Sequence, residues 1–207
     1  MKNLLLLTVF VLISGMSVFA QGSPAKPEKN WKFGADLNMY FYKDSFVVLP
    51  VFKADRNKLH LEARYNYEDL KTFSGWLGYN LKGGNEFEYL ITPMVGGVLG
   101  RTNGIAPGLE FTFGYKGFEL YNEAEYMLDV NTSENNFFYS WTDFTYSPKD
   151  WLWFGLSSQC TQIVHDKLSF EGGLMVGGAY KNLELTGYVY NPVSVNTFML
   201  LTLSVSF

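Results

Sequence analysis

The chain has 207 residues, a net charge of -4, 47% hydrophobic and 18% aromatic residues, and one cysteine. The acidic balance supplies no basic footprint, so nucleic acid is excluded as a partner, and Cys160 alone forms no internal disulfide. No apolar run beyond the first twenty residues reaches the ~18 that a membrane helix needs, while 18 Phe, 14 Tyr and 20 Gly favour strands and tight turns.

Lys2, the apolar run from Leu4 to Ile13, and Val18-Phe19-Ala20 before Gln21 follow the order of a secretory signal peptide, with cleavage expected after Ala20. Residues 21–30, QGSPAKPEKN, carry two prolines and no apolar pattern, and read as a flexible periplasmic leader. Residues 31–207 have a single texture and form one domain. Alternating segments are divided by clusters of Asp, Asn, Gly, Lys and Pro, which predicts an all-β chain forming a transmembrane antiparallel up-and-down β-barrel. Twelve strands are expected, within a range of ten to fourteen, at 31–42, 45–53, 58–68, 72–80, 86–95, 105–115, 118–130, 137–146, 151–161, 168–180, 183–190 and 196–207.

Every second junction is a short polar turn: Asp55-Arg56-Asn57, Lys82-Gly83-Gly84-Asn85, Lys116-Gly117, Pro148-Lys149-Asp150 and Lys181-Asn182. Tyr79, Tyr115, Tyr146 and Tyr180 precede four of them and are expected to form an aromatic girdle on the periplasmic side. The opposite junctions, among them 101–104, 131–136 and 164–167, are the expected outer loops.

Alternation sorts the side chains onto two faces. Phe33, Leu37, Phe52, Leu77, Phe113, Leu156, Leu174 and Leu185 belong to an outward face without charge, whose polar exceptions are Asn122, Ser140 and Thr142. A bulge near Asn122 would change its facing. The other face carries Asp36, Glu62, Arg64, Glu88, Glu110, Glu119, Glu123, Glu125, Asp143, Glu171 and Glu184, with Lys32, Lys53 and His60 as further bases and Trp76, Tyr121, Trp141, Trp151, Trp153 and Tyr188 as bulky neighbours. A polar interior inside an apolar exterior requires lipid around the wall.

The chain ends NTFMLLTLSVSF, with Met199, Leu201, Leu203, Val205 and Phe207 on one face and Phe198, Leu200, Thr202, Ser204 and Ser206 on the other. This stretch resembles the C-terminal signal strand of Gram-negative outer-membrane β-barrels. The resemblance implies an outer-membrane location, contact with membrane lipids, and recognition by the outer-membrane assembly machinery.

The acidic lumen suggests a narrow, cation-preferring channel for small solutes. A non-conducting structural barrel, or a partner for another envelope protein, is the alternative. An outer-membrane lipid hydrolase is the third reading, and its one testable pair is His165-Asp166, with Ser169 nearby; no G-x-S-x-G is present. The sequence points to no enzyme, no cofactor and no metal, since His60 and His165 are far apart and no ligand spacing is recognisable.

Overall fold

The computed structural model describes residues 30–207, so the expected signal peptide and most of the leader lie outside the described residues. In chain order the strands are β1 (Lys32–Phe41), β2 (Phe46–Arg56), β3 (Leu59–Tyr65), β4 (Thr72–Tyr79), β5 (Leu81–Gly83), β6 (Phe87–Gly100) and β7 (Gly104–Tyr115). They continue with β8 (Phe118–Asp129), β9 (Phe137–Lys149), β10 (Leu152–Ile163), β11 (Ser169–Tyr180), β12 (Leu183–Tyr190) and β13 (Phe198–Ser206). All pairings are antiparallel between chain neighbours, and β4–β6 and β1–β13 complete the ring.

Thirteen segments make twelve staves. The pairs Gly78↔Met94 and Leu81↔Ile91 lie in one register, so β4 and β5 are two parts of one strand, interrupted at Asn80. Asn80 instead turns its side chain inward, donating to Asp55 Oδ1 at 2.6 Å and accepting from Thr92 Oγ1 at 2.7 Å.

Closure depends on the two ends of the chain. β1 pairs with β13 from Gly34↔Ser206 to Phe41↔Met199. Beyond that ladder, Phe33 and Phe207 exchange two backbone hydrogen bonds of 2.9 Å. No open edge remains between first and last strand, which removes the unpaired backbone groups that hydrocarbon would not solvate.

The tight turns gather at the end bearing the termini. Lys116 and Gly117 both have positive φ, 49° and 82°, as a two-residue I′ hairpin turn requires. At this end Lys58, Lys116 and Lys181 place their ammonium groups over Tyr79, Tyr115 and Tyr180 at 5.3, 5.0 and 5.3 Å. Tyr146 packs against Phe118, with ring centroids 4.7 Å apart. The four tyrosines expected in the girdle are all exposed near this end of the barrel.

Above them runs an apolar exterior on which Phe52, Leu77, Leu156, Leu174 and Val176 are each more than half exposed. Its polar exceptions satisfy one another: Asn122 Nδ2 donates to Ser140 Oγ, Thr142 Oγ1 and the Trp141 carbonyl at 2.8 to 3.1 Å. The β7–β8 and β8–β9 registers run without a break past Asn122. The bulge lies instead in β9, where Ser147 and Pro148 stand opposite the single residue Trp153 of β10. Trp151, expected to face inward, instead precedes β10 and is exposed in the turn, with Lys149 over its ring at 5.7 Å.

Candidate functional site

The lumen has three levels. A cavity of about 500 Å³ extends from the termini end to mid-barrel. Its wall includes Asp36, Lys53, Glu119, Tyr121, Asp143, Asp150, Trp153, Glu184 and Tyr188, and its depth is bounded by Arg64 and Tyr67. Lys53 Nζ lies 3.4 Å from Asp36 and 3.7 Å from Glu62. Asp143 is held by neutral donors only: Trp141 Nε1 at 2.7 Å, Ser157 Oγ at 2.5 Å and Tyr188 Oη at 3.1 Å.

Arg64 forms the second level. It is 2% exposed, although every strand around it lines the same lumen. Its Nε donates to Glu62 Oε2 at 2.6 Å and its Nη1 to Glu123 Oε1 at 2.6 Å, with Glu125 at 3.4 Å and Glu110 at 3.5 Å. The guanidinium carbon sits 4.6 Å from the centres of both the Tyr67 and the Trp76 rings, so the cation is sandwiched as well as ion-paired. Trp76 can lie flat there because Gly96 and Gly108 face it; a Cβ at either would come within 2.5 or 2.8 Å of the indole.

His60 lies beside this cluster and bridges two acids, Nδ1 to Asp55 at 2.9 Å and Nε2 to Glu62 at 3.0 Å. His60, Glu62 and Glu110 bring ligand-type atoms within 4.8 Å of one another. Arg64 and Lys53 already supply positive charge to Glu62, and His60 hydrogen-bonds it, so this group is an ion-pair network in itself.

The third level is a loop. β3 ends at Tyr65, and residues 66–71 fold into the barrel instead of extending away from it. Asn66 and Lys71 have φ of 59° and 58°, and the Asn66 side chain accepts from Lys71 N at 2.7 Å and donates to Val48 O at 3.1 Å. Tyr67 thereby stacks on Arg64 and meets Tyr139 edge-on at 6.0 Å. Glu68 receives Ser74 Oγ at 2.5 Å and Trp76 Nε1 at 3.1 Å.

The loop is tied outside by Asp69, which accepts from Arg101 Nε at 2.5 Å, from Arg101 Nη2, and from Thr102 Oγ1 at 2.9 Å. Partial burial opposes ionisation of Asp69, but these hydrogen bonds prevail and hold its carboxyl below the usual carboxylate range.

Side chains fill the loop-side half of the lumen around these groups. Tyr40, Tyr190, Phe198 and Leu200 form one buried cluster, and Val98, Ala106 and Met127 belong to another with Trp76. Gln159 Nε2 ties Tyr40 and Tyr190 together at 2.9 and 3.2 Å.

Of the expected lumen residues, Glu62, Arg64, Glu110, Glu123 and Glu125 converge in the central cluster, and Asp36, Glu119, Asp143 and Glu184 line the cavity. Glu88 is exposed at the termini-side rim, and Glu171 lies near the loop end, held by Ser169 and Asn191. His165 and Asp166 occupy an exposed turn after β10, with His165 at φ 69°. Alternation did not single out Tyr67, Glu68, Tyr40 or Tyr190; the strand-breaking Asn66 was the one local signal for the inserted loop.

No protein-family model and no curated protein matches the sequence. Among solved structures the chain is similar to the KdgM porin, at 13% identity over 84% of this chain and 99% of that one, with a TM-score of 0.63. It is also similar to the NanC porin, at 10% identity over 84% and 98% of the two chains, with a TM-score of 0.59. Both are described as porins, not enzymes. At these identities the likeness is one of fold: the chain is a closed, twelve-stave antiparallel barrel, the architecture it shares with these two porins.

Proposed function

We propose that this protein is an outer-membrane barrel offering small solutes a narrow, cation-preferring passage whose resting form is closed by Arg64 and the inserted loop. The observation that carries this reading is the course of the lumen, where a carboxylate-lined cavity leads to one arginine facing four glutamates. Such a wall lowers the energy of a cation and raises that of an anion. The apolar exterior and the porin-type fold support the membrane setting, and the N-terminal pattern supports export by a cleaved signal peptide.

Conductance across a planar bilayer tests the proposal. Brief, small openings are expected from the native chain and larger, longer ones from Arg64→Ala, with Arg64→Ala/Glu123→Gln as the variant that limits the uncompensated charge. If both variants are folded and silent, the passage is disproved. A second reading, a non-conducting barrel, draws support from the packed cluster of Tyr40, Tyr190, Phe198 and Leu200, and it predicts that silence.

A further inference from the structure

On the loop side of Arg64 three polar atoms are buried without a hydrogen-bond partner: Glu125 Oε1, Glu68 Oε2 and Tyr67 Oη. Both glutamates are at least nine-tenths buried. Each has one oxygen already committed, Glu125 Oε2 towards Arg64 at 3.4 Å and Glu68 Oε1 to Ser74 and Trp76. The second oxygen of each is left over, and Glu68 is among the charges acting directly on Glu125.

The supply of positive charge is spent elsewhere. Arg64 makes its short contacts with Glu62 and Glu123. Lys53 and His60 lie on the cavity side, against Asp36, Glu62 and Asp55. A buried carboxylate with a free oxygen and no adequate counter-charge is among the costliest groups a folded protein can hold. Two of them, reached from the same Arg64–Trp76 stack, call for a cation.

We propose that Glu68 and Glu125 bind a hard divalent cation of the calcium type, with the Tyr67 hydroxyl beside it. The donors are all oxygen, which selects a hard ion, and two carboxylates match a double charge. Calcium accepts the irregular mixture of carboxylate and neutral oxygen that one strand and a loop would present. Since Glu68 belongs to the inserted loop, the ion would also fasten that loop to β8. Ion binding is read without conduction, so the site stands or falls separately from the passage.

The test uses the full chain folded in detergent, stripped with EDTA and titrated with Ca²⁺ by calorimetry. One equivalent per barrel is expected, together with a Ca²⁺-dependent rise in melting temperature. Glu68→Gln and Glu125→Gln should each bind at least tenfold more weakly, while His165→Ala, in a remote turn, binds as the native chain does. Barrel integrity is followed by heat-modifiable gel mobility.

A measurement on the native chain alone guards against variants that fail to fold. Tb³⁺ held by Glu68 should show emission sensitised by the hydrogen-bonded Trp76 and lose it on addition of Ca²⁺. Absence of both Ca²⁺ uptake and Tb³⁺ emission overturns the proposal and leaves a shared proton between the two carboxylates. Undiminished Ca²⁺ uptake by Glu68→Gln/Glu125→Gln also overturns it, by placing the ion elsewhere in the lumen.

Discussion

Replacing Arg64 with methionine removes the one strong cation at mid-lumen while keeping most of its volume. Glu62 retains Lys53 at 3.7 Å and His60 at 3.0 Å, and Glu123 retains the Tyr121 hydroxyl at 3.0 Å. Glu110 and Glu125 lose their guanidinium contact, and the Tyr67 and Trp76 rings lose the cation between them. Removing one partner of a buried pair costs about 3–5 kcal/mol, and the stacking adds about 1 kcal/mol. Arg64→Met should therefore destabilise the barrel by roughly 4–6 kcal/mol.

Adding Glu123→Gln to Arg64→Met removes one of the orphaned charges and should restore about 1–3 kcal/mol. The assay is urea unfolding from lipid vesicles, followed by tryptophan fluorescence, in which Trp76 reports directly on the site. A loss below about 1 kcal/mol, with no recovery in the double variant, would show that Arg64 is hydrated and unimportant to the wall.

Three further outcomes are expected. Gly96→Ala pushes a methyl group against the Trp76 indole and should cost about 1–3 kcal/mol in the same unfolding assay, since overpacking displaces the ring from Arg64. Leu174→Arg puts a charge on the exterior at mid-strand, opposite Leu156 and Val189, and should cost about 2–4 kcal/mol in vesicles; a neutral result would place this face in water. Asp69 has a lowered carboxyl pKa in the folded chain, so its tie to Arg101 contributes stability above the ordinary aspartate value, about 3.9. That contribution is lost as pH falls through the folded value. Hydrogen exchange of residues 66–71 should accordingly speed up below about pH 4 relative to its trend at higher pH, and Asp69→Asn should abolish the extra step.

The sequence revealed the wall more fully than its contents. Period-two alternation is enforced by lipid on one side and polar groups on the other, so strands such as β8 and β11 and the pairing face of β13 were legible. The end of β6 was not: the strand continues past Val95 through Gly96 and Gly97 to Gly100, and glycines carry no facing signal. Nor was β5, because Lys82 and Gly83 read as a turn although their backbone continues the ladder.

Inward facing was likewise legible for Arg64 and its glutamates, but not their meeting. Glu110, Glu123 and Glu125 lie 46, 59 and 61 residues from Arg64, and only closure of the ring brings them opposite one another. Tyr67 and Glu68 were hidden for another reason. The predicted strand ran on to Glu68, whereas the chain leaves the ladder at Asn66 and turns inward, a change of direction decided by tertiary contacts with Arg64, Ser74 and Trp76.

Reversal potential under a tenfold KCl gradient across a planar bilayer is the most direct test of the proposed passage, measured on the native chain and on Arg64→Ala/Glu123→Gln. A reversal potential of cation-selective sign, with greater conductance in the double variant, is the predicted result. Anion selectivity, or silence from both proteins when each is shown to be folded and inserted, would contradict it.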